Sequence, residues 1–208
     1  MALNIGVLGL QGAFAEHERA LRRAEPSVTT RIVRRREELE GLDGLIIPGG
    51  ESTTMAIIAE RHGLMEALRG WVRDRRPVMG TCAGLIMLAD EVAATKQNGQ
   101  SHIGGLACRV HRNYYGAQTD SFLADLAVDA TVGSEFTGVF IRAPLIESVL
   151  SSEVRILASL HCDGRGEGQP VAVQQGNLLG MTFHPELTDS SAWHAYFLDL
   201  VRRHKQQG

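Results

Sequence analysis

Apolar and polar positions alternate in blocks along the first ninety residues, and the period of each block predicts its structure. Ile5-Gly-Val-Leu-Gly-Leu10 is a continuous apolar run bounded by turn residues, which predicts a buried parallel strand. From Ala13 to Glu25 the spacing becomes helical, with Phe14, His17, Leu21 and Ala24 on one side, and Pro26 ends the segment. Val28 to Val33 and Leu45-Ile46-Ile47 predict two more strands. A helix then runs through Met55-Ala-Ile-Ile-Ala59, with Ser52 or Thr53 as its expected cap, and Gly63 divides it from a second helix, Leu64 to Arg73. Pro77-Val-Met79 predicts a fourth strand. Strands alternating with helices imply a parallel sheet with ligand loops at the carboxyl ends of its strands.

Beyond Asp90 the texture changes. Thr95 to Gln100 is polar and loop-like. Short β-rich runs follow at Ile103 to His111, Ser121 to Thr131, Phe136 to Ile141, Val154 to Leu160, Val171 to Gln175 and Leu178 to Phe183. Turns such as Asp163-Gly164 and Gly176-Asn177 separate several of them, which predicts antiparallel strands. The last two runs form a predicted hairpin that ends at His184-Pro185-Glu186. Ser190 to Lys205 closes the chain as an amphipathic helix with Trp193, Tyr196, Phe197, Leu200 and Val201 on its apolar face. There is no internal repeat or linker, so residues 1–208 read as one domain.

Composition narrows the function classes. At 208 residues and 44% hydrophobic the chain can fill one α/β core. A net charge of −3 gives no reason to expect nucleic acid or an anionic membrane as partner. The arginines of Arg31 to Arg36 run straight into Glu37, Glu38 and Glu40, the pattern of a solvated face. Cys82, Cys108 and Cys162 are widely spaced without a Cys-x-x-Cys pair, which argues against a disulfide framework and against a zinc site. With a strand beginning by Asn4 and no apolar run of membrane length, the expected compartment is the cytoplasm.

The chemistry centres on Gly80-Thr-Cys82-Ala-Gly84 between a strand and a helix, the thiol form of a nucleophile elbow. Such a turn lifts the Cys82 side chain to a helix N-terminus, where the dipole favours an anionic sulfur, and aims the Ala83 N–H at a developing oxyanion. A buried structural cysteine is the plain alternative. Given 23 glycines and 3 cysteines, chance supplies about 0.04 such patterns. His184 provides a base: Pro185 favours extended backbone before it, and residues two apart in extended chain face the same way, so Glu186 projects beside the imidazole. A carboxylate there fixes the ring's tautomer. His17, His62, His102, His111, His161, His194 and His204 lack such a setting, and His161 beside Cys162 is too small a set for a metal. Pro48-Gly49-Gly50-Glu51-Ser52-Thr53-Thr54 is a second candidate, a loop free to approach a ligand or simply a well-capped connection.

Gly80-Thr-Cys-Ala-Gly84 with Phe183-His-Pro-Glu186 resembles the class I (triad) glutamine amidotransferase family. Four stretches resemble, more narrowly, the family of glutaminase subunits of pyridoxal 5'-phosphate synthase: Gly9-Leu-Gln-Gly12, Ile47-Pro-Gly-Gly-Glu-Ser-Thr-Thr54, Phe140-Ile-Arg-Ala-Pro144 and Phe183-His-Pro-Glu-Leu-Thr188. The resemblance implies a three-layer α/β fold with a mixed, mainly parallel central sheet and antiparallel strands in the second half. It implies hydrolysis of L-glutamine to glutamate and ammonia by Cys82, His184 and Glu186. The oxyanion would lie between Ala83 and the Gly49-Gly50 loop, and Gly49, Gly50, Glu51, Arg112, Ile141 and Arg142 would hold glutamine. It implies no cofactor, and as partner a (β/α)8-barrel synthase subunit in a large hetero-oligomer that receives the ammonia. Ala117 stands where many relatives carry arginine, which bears on the loop that follows Arg112. A glutaminase serving another synthase, and a catalytically silent binding module that keeps the elbow, are the competing readings.

Overall fold

The fold is described here from a computed structural model, for residues 2–93, 101–112, 121–133, 135–160 and 168–207. Thr95 to Gln100, Gly116-Ala117-Gln118, and His161 to Gly164 with Cys162 lie outside these residues. The first half alternates as expected: β1 (Asn4–Leu8), α1 (Phe14–Ala24), β2 (Thr29–Val33), β3 (Gly44–Ile47), α2 (Ser52–Arg61), α3 (Leu64–Arg73), β4 (Val78–Thr81) and α4 (Ala83–Leu88). The second half contributes β5 (Ala89–Ala93), β6 (Leu106–His111), β7 (Phe122–Val128), β8 (Phe136–Phe140), β9 (Leu145–Val149), β10 (Arg155–Leu160), β11 (Pro170–Gln175), β12 (Leu178–Met181) and α5 (Ala192–Gln207). Among the described residues no helix is long and apolar enough to cross a membrane.

Nine strands form one sheet in the order β2-β1-β3-β4-β12-β11-β10-β7-β8. The first five run parallel and the rest are antiparallel to their neighbours. β12 departs from the expectation of antiparallel pairing in the second half: its hairpin with β11 inserts it alongside β4, in parallel register, with Gly180 opposite Gly80. β5 and β9 are strands that the hydrophobic pattern did not predict. With β6 they form a separate three-stranded sheet, in which β5 and β6 are parallel.

Strand alternation divides the core between the two faces of the large sheet. Leu45 and Ile47 point to the face covered by α2, α3 and α4, where Met55, Leu64, Leu68, Trp71 and Leu85 are buried with them. Ile46 points to the opposite face, against α1 and α5, with Ile5, Val7, Leu21, Trp193 and Phe197. Layers of helix, sheet and helix result. Phe136, Phe140, Phe183 and Trp193 pack edge to face or tilted against one another next to the end of β12.

Candidate active site

The carboxyl ends of β3, β4 and β12 lie side by side, and each carries one part of the candidate site. At the end of β4 the chain turns sharply into α4. Cys82 takes φ 49° and ψ −103°, a conformation that L residues rarely adopt, and its N–H donates to the carbonyl of Met181 on β12 at 2.8 Å. The turn admits only glycine at its flanks: a Cβ on Gly84 would stand 2.0 Å from the Ile47 carbonyl, and one on Gly80 2.7 Å from the backbone of Gly84. Ala83 opens the helix, so its N–H has no partner within the helix itself. The Cys82 side chain is 7% exposed and its sulfur lies 4.0 Å from the Ile141 carbonyl.

His184 follows β12, and its N–H donates to the Val139 carbonyl on β8 at 2.8 Å. Since β8 and β12 are four places apart in the strand order, the sheet must curl to bring them together. That curl delivers Ile141, which follows β8, to the Cys82 sulfur. His184 Nδ1 lies 2.7 Å from Glu186 Oε1, and both side chains are buried. The expected pairing is present but its route differs. His184 is near-extended, at φ −109° and ψ 87°, whereas Glu186 sits in a 3-10 turn, Pro185–Leu187, that Pro185 initiates.

Burial opposes protonation of His184. The hydrogen bonds and charge interactions with Cys82 and Glu186 outweigh it and push its pKa up to about 10. Burial likewise works to raise the pKa of Glu186, but the facing imidazoles of His17 and His184 hold it below the usual carboxylate value. Both shifts favour an imidazolium bonded to a carboxylate. Gly49 closes the third side: a Cβ there would meet His184 Cε1 at 2.3 Å and Cys82 Cβ at 3.3 Å.

Glu51, rather than Ser52 or Thr53, is the N-cap of α2, its carboxylate accepting from the N–H groups of Thr53 and Thr54. The longer acid reaches back over the first turn, and the helix dipole favours its charge. These bonds outweigh partial burial and lower its pKa. Arg112 bonds to that carboxylate at 3.2 Å and to Thr53 Oγ1 at 2.9 Å. The N–H of Glu51 donates to Gln11 Oε1 at 2.8 Å, tying the Gly49-Gly50 loop to the end of β1. Arg142 is exposed, at φ 46°, and has no ion-pair partner among the described residues. Cys108 is fully buried on the far sheet, where burial pushes its thiol up to about 12.

Sequence reasoning set His17 and His194 aside, and the structure corrects this. His17 Nε2 stands 3.4 Å from Glu186 Oε2, and its Nδ1 3.0 Å from His194 Nε2. The available signal was a histidine among apolar residues on one helix face.

The model of the SNO glutamine amidotransferase family matches residues 7–203. Pyridoxal 5'-phosphate synthase subunit PdxT of Streptomyces avermitilis is 48% identical over 97% of this chain and 95% of its own length. The probable pyridoxal 5'-phosphate synthase subunit PDX2 of Arabidopsis thaliana is 44% identical over 98% of this chain and 88% of its own. A solved structure described as a glutamine amidotransferase superposes with a TM-score of 0.84 at 43% identity, covering 95% of this chain and 98% of that one.

Proposed function

This chain belongs to the SNO glutamine amidotransferase family, and we propose that it is the glutaminase subunit of a pyridoxal 5'-phosphate synthase. The observation that carries the reading is the 2.7 Å bond from His184 to Glu186 beside a cysteine held at a strained strand-to-helix turn.

In this reading the Cys82 thiolate adds to the side-chain carbonyl carbon of L-glutamine. The negative charge moves to the oxygen, which the N–H of Ala83 and an N–H of the Gly49-Gly50 loop receive. His184 gives its proton to the amide nitrogen, ammonia leaves, and a glutamyl thioester forms on Cys82. The now neutral His184 takes a proton from water, and the resulting hydroxide attacks the thioester. Collapse releases glutamate and restores the thiolate and the imidazolium. Glu186 keeps its charge throughout and holds the ring with Nδ1 protonated. Arg142 is assigned the α-carboxylate of glutamine, since a guanidinium with no ion-pair partner among the described residues offers two parallel N–H donors. Gly49, Gly50, Glu51 with its partner Arg112, and Ile141 complete the pocket, the acid and carbonyls facing the ammonium.

Ammonia freed into neutral water becomes ammonium and is lost as a nucleophile. The reading therefore includes a partner that takes it directly, a (β/α)8-barrel synthase subunit in a large hetero-oligomer, and places the reaction in the reducing cytoplasm. The test is glutamate production with and without a saturating amount of that subunit. A rate raised by the partner supports the assignment, because two adjacent glycines let the oxyanion-binding peptide reorient at little steric cost, and one such donor is worth about 100- to 1000-fold. Equal rates would contradict partner-dependent assembly of the oxyanion hole.

A further inference from the structure

Two histidines outside the proposed triad continue its hydrogen-bonded line into the core. His17, on α1, and His194, near the start of α5, are both fully buried. His17 Nδ1 is 3.0 Å from His194 Nε2, and its Nε2 is 3.3 Å from Thr81 Oγ1 and 3.4 Å from Glu186 Oε2. Glu186 Oε2 is buried without a hydrogen bond of ordinary geometry among the described residues, and so is His194 Nδ1. A buried carboxylate oxygen is costly to leave unserved, and His17 is the group that faces it.

Donor and acceptor accounting fixes the tautomers. Burial holds both imidazoles neutral, lowering the pKa of each, so each ring has one N–H and one bare nitrogen. With its proton on Nδ1, His17 would turn a lone pair toward the Glu186 carboxylate. His194 would then accept at Nε2 and carry a buried N–H at Nδ1 with no acceptor, an arrangement native structures rarely tolerate. The other tautomer leaves no orphan donor. His194 Nε2–H donates to His17 Nδ1, His17 Nε2–H is shared between Glu186 Oε2 and Thr81 Oγ1, and of these ring nitrogens only the bare Nδ1 of His194 goes without a partner among the described residues.

We propose that His17 is a positioning residue for the glutaminase site: its Nε2–H restrains the second oxygen of Glu186 so that Oε1 stays aimed at His184, and His194 locks the tautomer. A neutral donor suits this task. A cation at His17 would compete with His184 for the carboxylate, whereas a neutral dipole orients it and leaves its charge for the imidazolium. The groups facing His17 are Glu186 and His184 from the chain after β12, Thr81 from β4, His194 from α5, and Glu16 from its own helix; Arg23 acts on His194. The kinetic part of the proposal rests on the glutaminase reading, while the tautomer assignment does not.

The test uses the chain with its synthase subunit and compares His17→Asn with His17→Gln. A glutamine places its amide nitrogen near the position of the ring Nε2 and keeps the donor; asparagine falls short. Expected for His17→Asn is a kcat about tenfold lower, the size typical of outer partners that orient a reacting histidine, with KM for glutamine within about twofold. His17→Gln should recover most of the rate. An unchanged kcat in folded His17→Asn, or equal losses in both variants, would overturn the proposal. A wild-type complex that releases no glutamate would overturn the glutaminase reading instead. Nitrogen-15 NMR of the histidine rings in the wild-type chain decides the matter without any variant. His17 and His194 neutral and protonated at Nε2 at pH 7 is the expected result, and a His17 protonated at Nδ1 would overturn the assignment.

Discussion

A Cβ on Gly49 would stand 2.3 Å from His184 Cε1 and 3.3 Å from Cys82 Cβ, so this glycine is the spacer between the candidate nucleophile and its base. His184 cannot retreat freely, because Glu186 holds it from the other side at 2.7 Å. Gly49→Ala is therefore expected to displace the imidazole and lower kcat about 100-fold, while costing about 1–3 kcal/mol of stability. Steady-state glutamate release and urea unfolding of the same preparation check both parts. A fully active Gly49→Ala would contradict the packing.

The strain at Cys82 has its own signature. Glycine adopts φ 49°, ψ −103° more readily than any residue with a Cβ. Cys82→Gly is expected to be more stable than Cys82→Ala by about 1 kcal/mol, the strain relieved exceeding the entropy that glycine adds to the unfolded chain. Urea midpoints of the two inactive variants give the comparison. An alanine variant at least as stable would show that the turn stores no strain.

Within the triad, His184→Asn is expected to be about as damaging as loss of Cys82, and Glu186→Gln milder, because the orienting acid costs less than the groups that exchange protons. A silent Glu186→Gln would mean that another group orients His184. Rates at saturating glutamine with the synthase subunit present separate these cases.

Stability should peak near pH 6.5–7, since the buried groups act with opposite signs. His17 and His194 have folded pKa values below the usual 6.5, so the unfolded chain binds more protons as pH falls. Their contribution is full above 6.5 and declines below it, by up to about 1.4 kcal/mol per pH unit for each group. Glu186, lowered from 4.5, adds a further loss below about 4.5. His184, raised to about 10, contributes fully below 6.5 and loses its contribution between 6.5 and 10. Urea unfolding from pH 5 to 9 measures the profile, and His194→Phe should flatten its acid limb. A flat acid limb in the wild type would contradict neutral buried histidines.

What the sequence made legible was local. Gly80, Cys82 and Gly84 announce the elbow because their spacing is contained in five residues, although the contact that demands glycine at Gly84, the Ile47 carbonyl, lies on β3. His184 and Glu186 read as a pair for the same reason, although a 3-10 turn rather than extended chain aligns them. Ala89–Ala93 was missed because Asp90 and Glu91 break both the apolar run of α4 and any strand alternation, and only its pairing with Leu106–His111 makes it a strand. The insertion of β12 beside β4 depends on partners distant in the chain, which no local period encodes. His17 meets Glu186 only after α1 and α5 have packed on the sheet, so a residue that looked like core turns out to face the site. Glu51 was expected to bind substrate, and its capping of α2 was hidden because shorter side chains are the commoner caps.

The most direct measurement of the central claim is glutamate release from L-glutamine by wild type and Cys82→Ala, each saturated with the synthase subunit and matched for folded protein. The wild type is expected to release glutamate and ammonia in equal amounts, and Cys82→Ala to release neither while still binding the partner. Glutamate release by Cys82→Ala at the wild-type rate would contradict the assignment of Cys82 as the nucleophile.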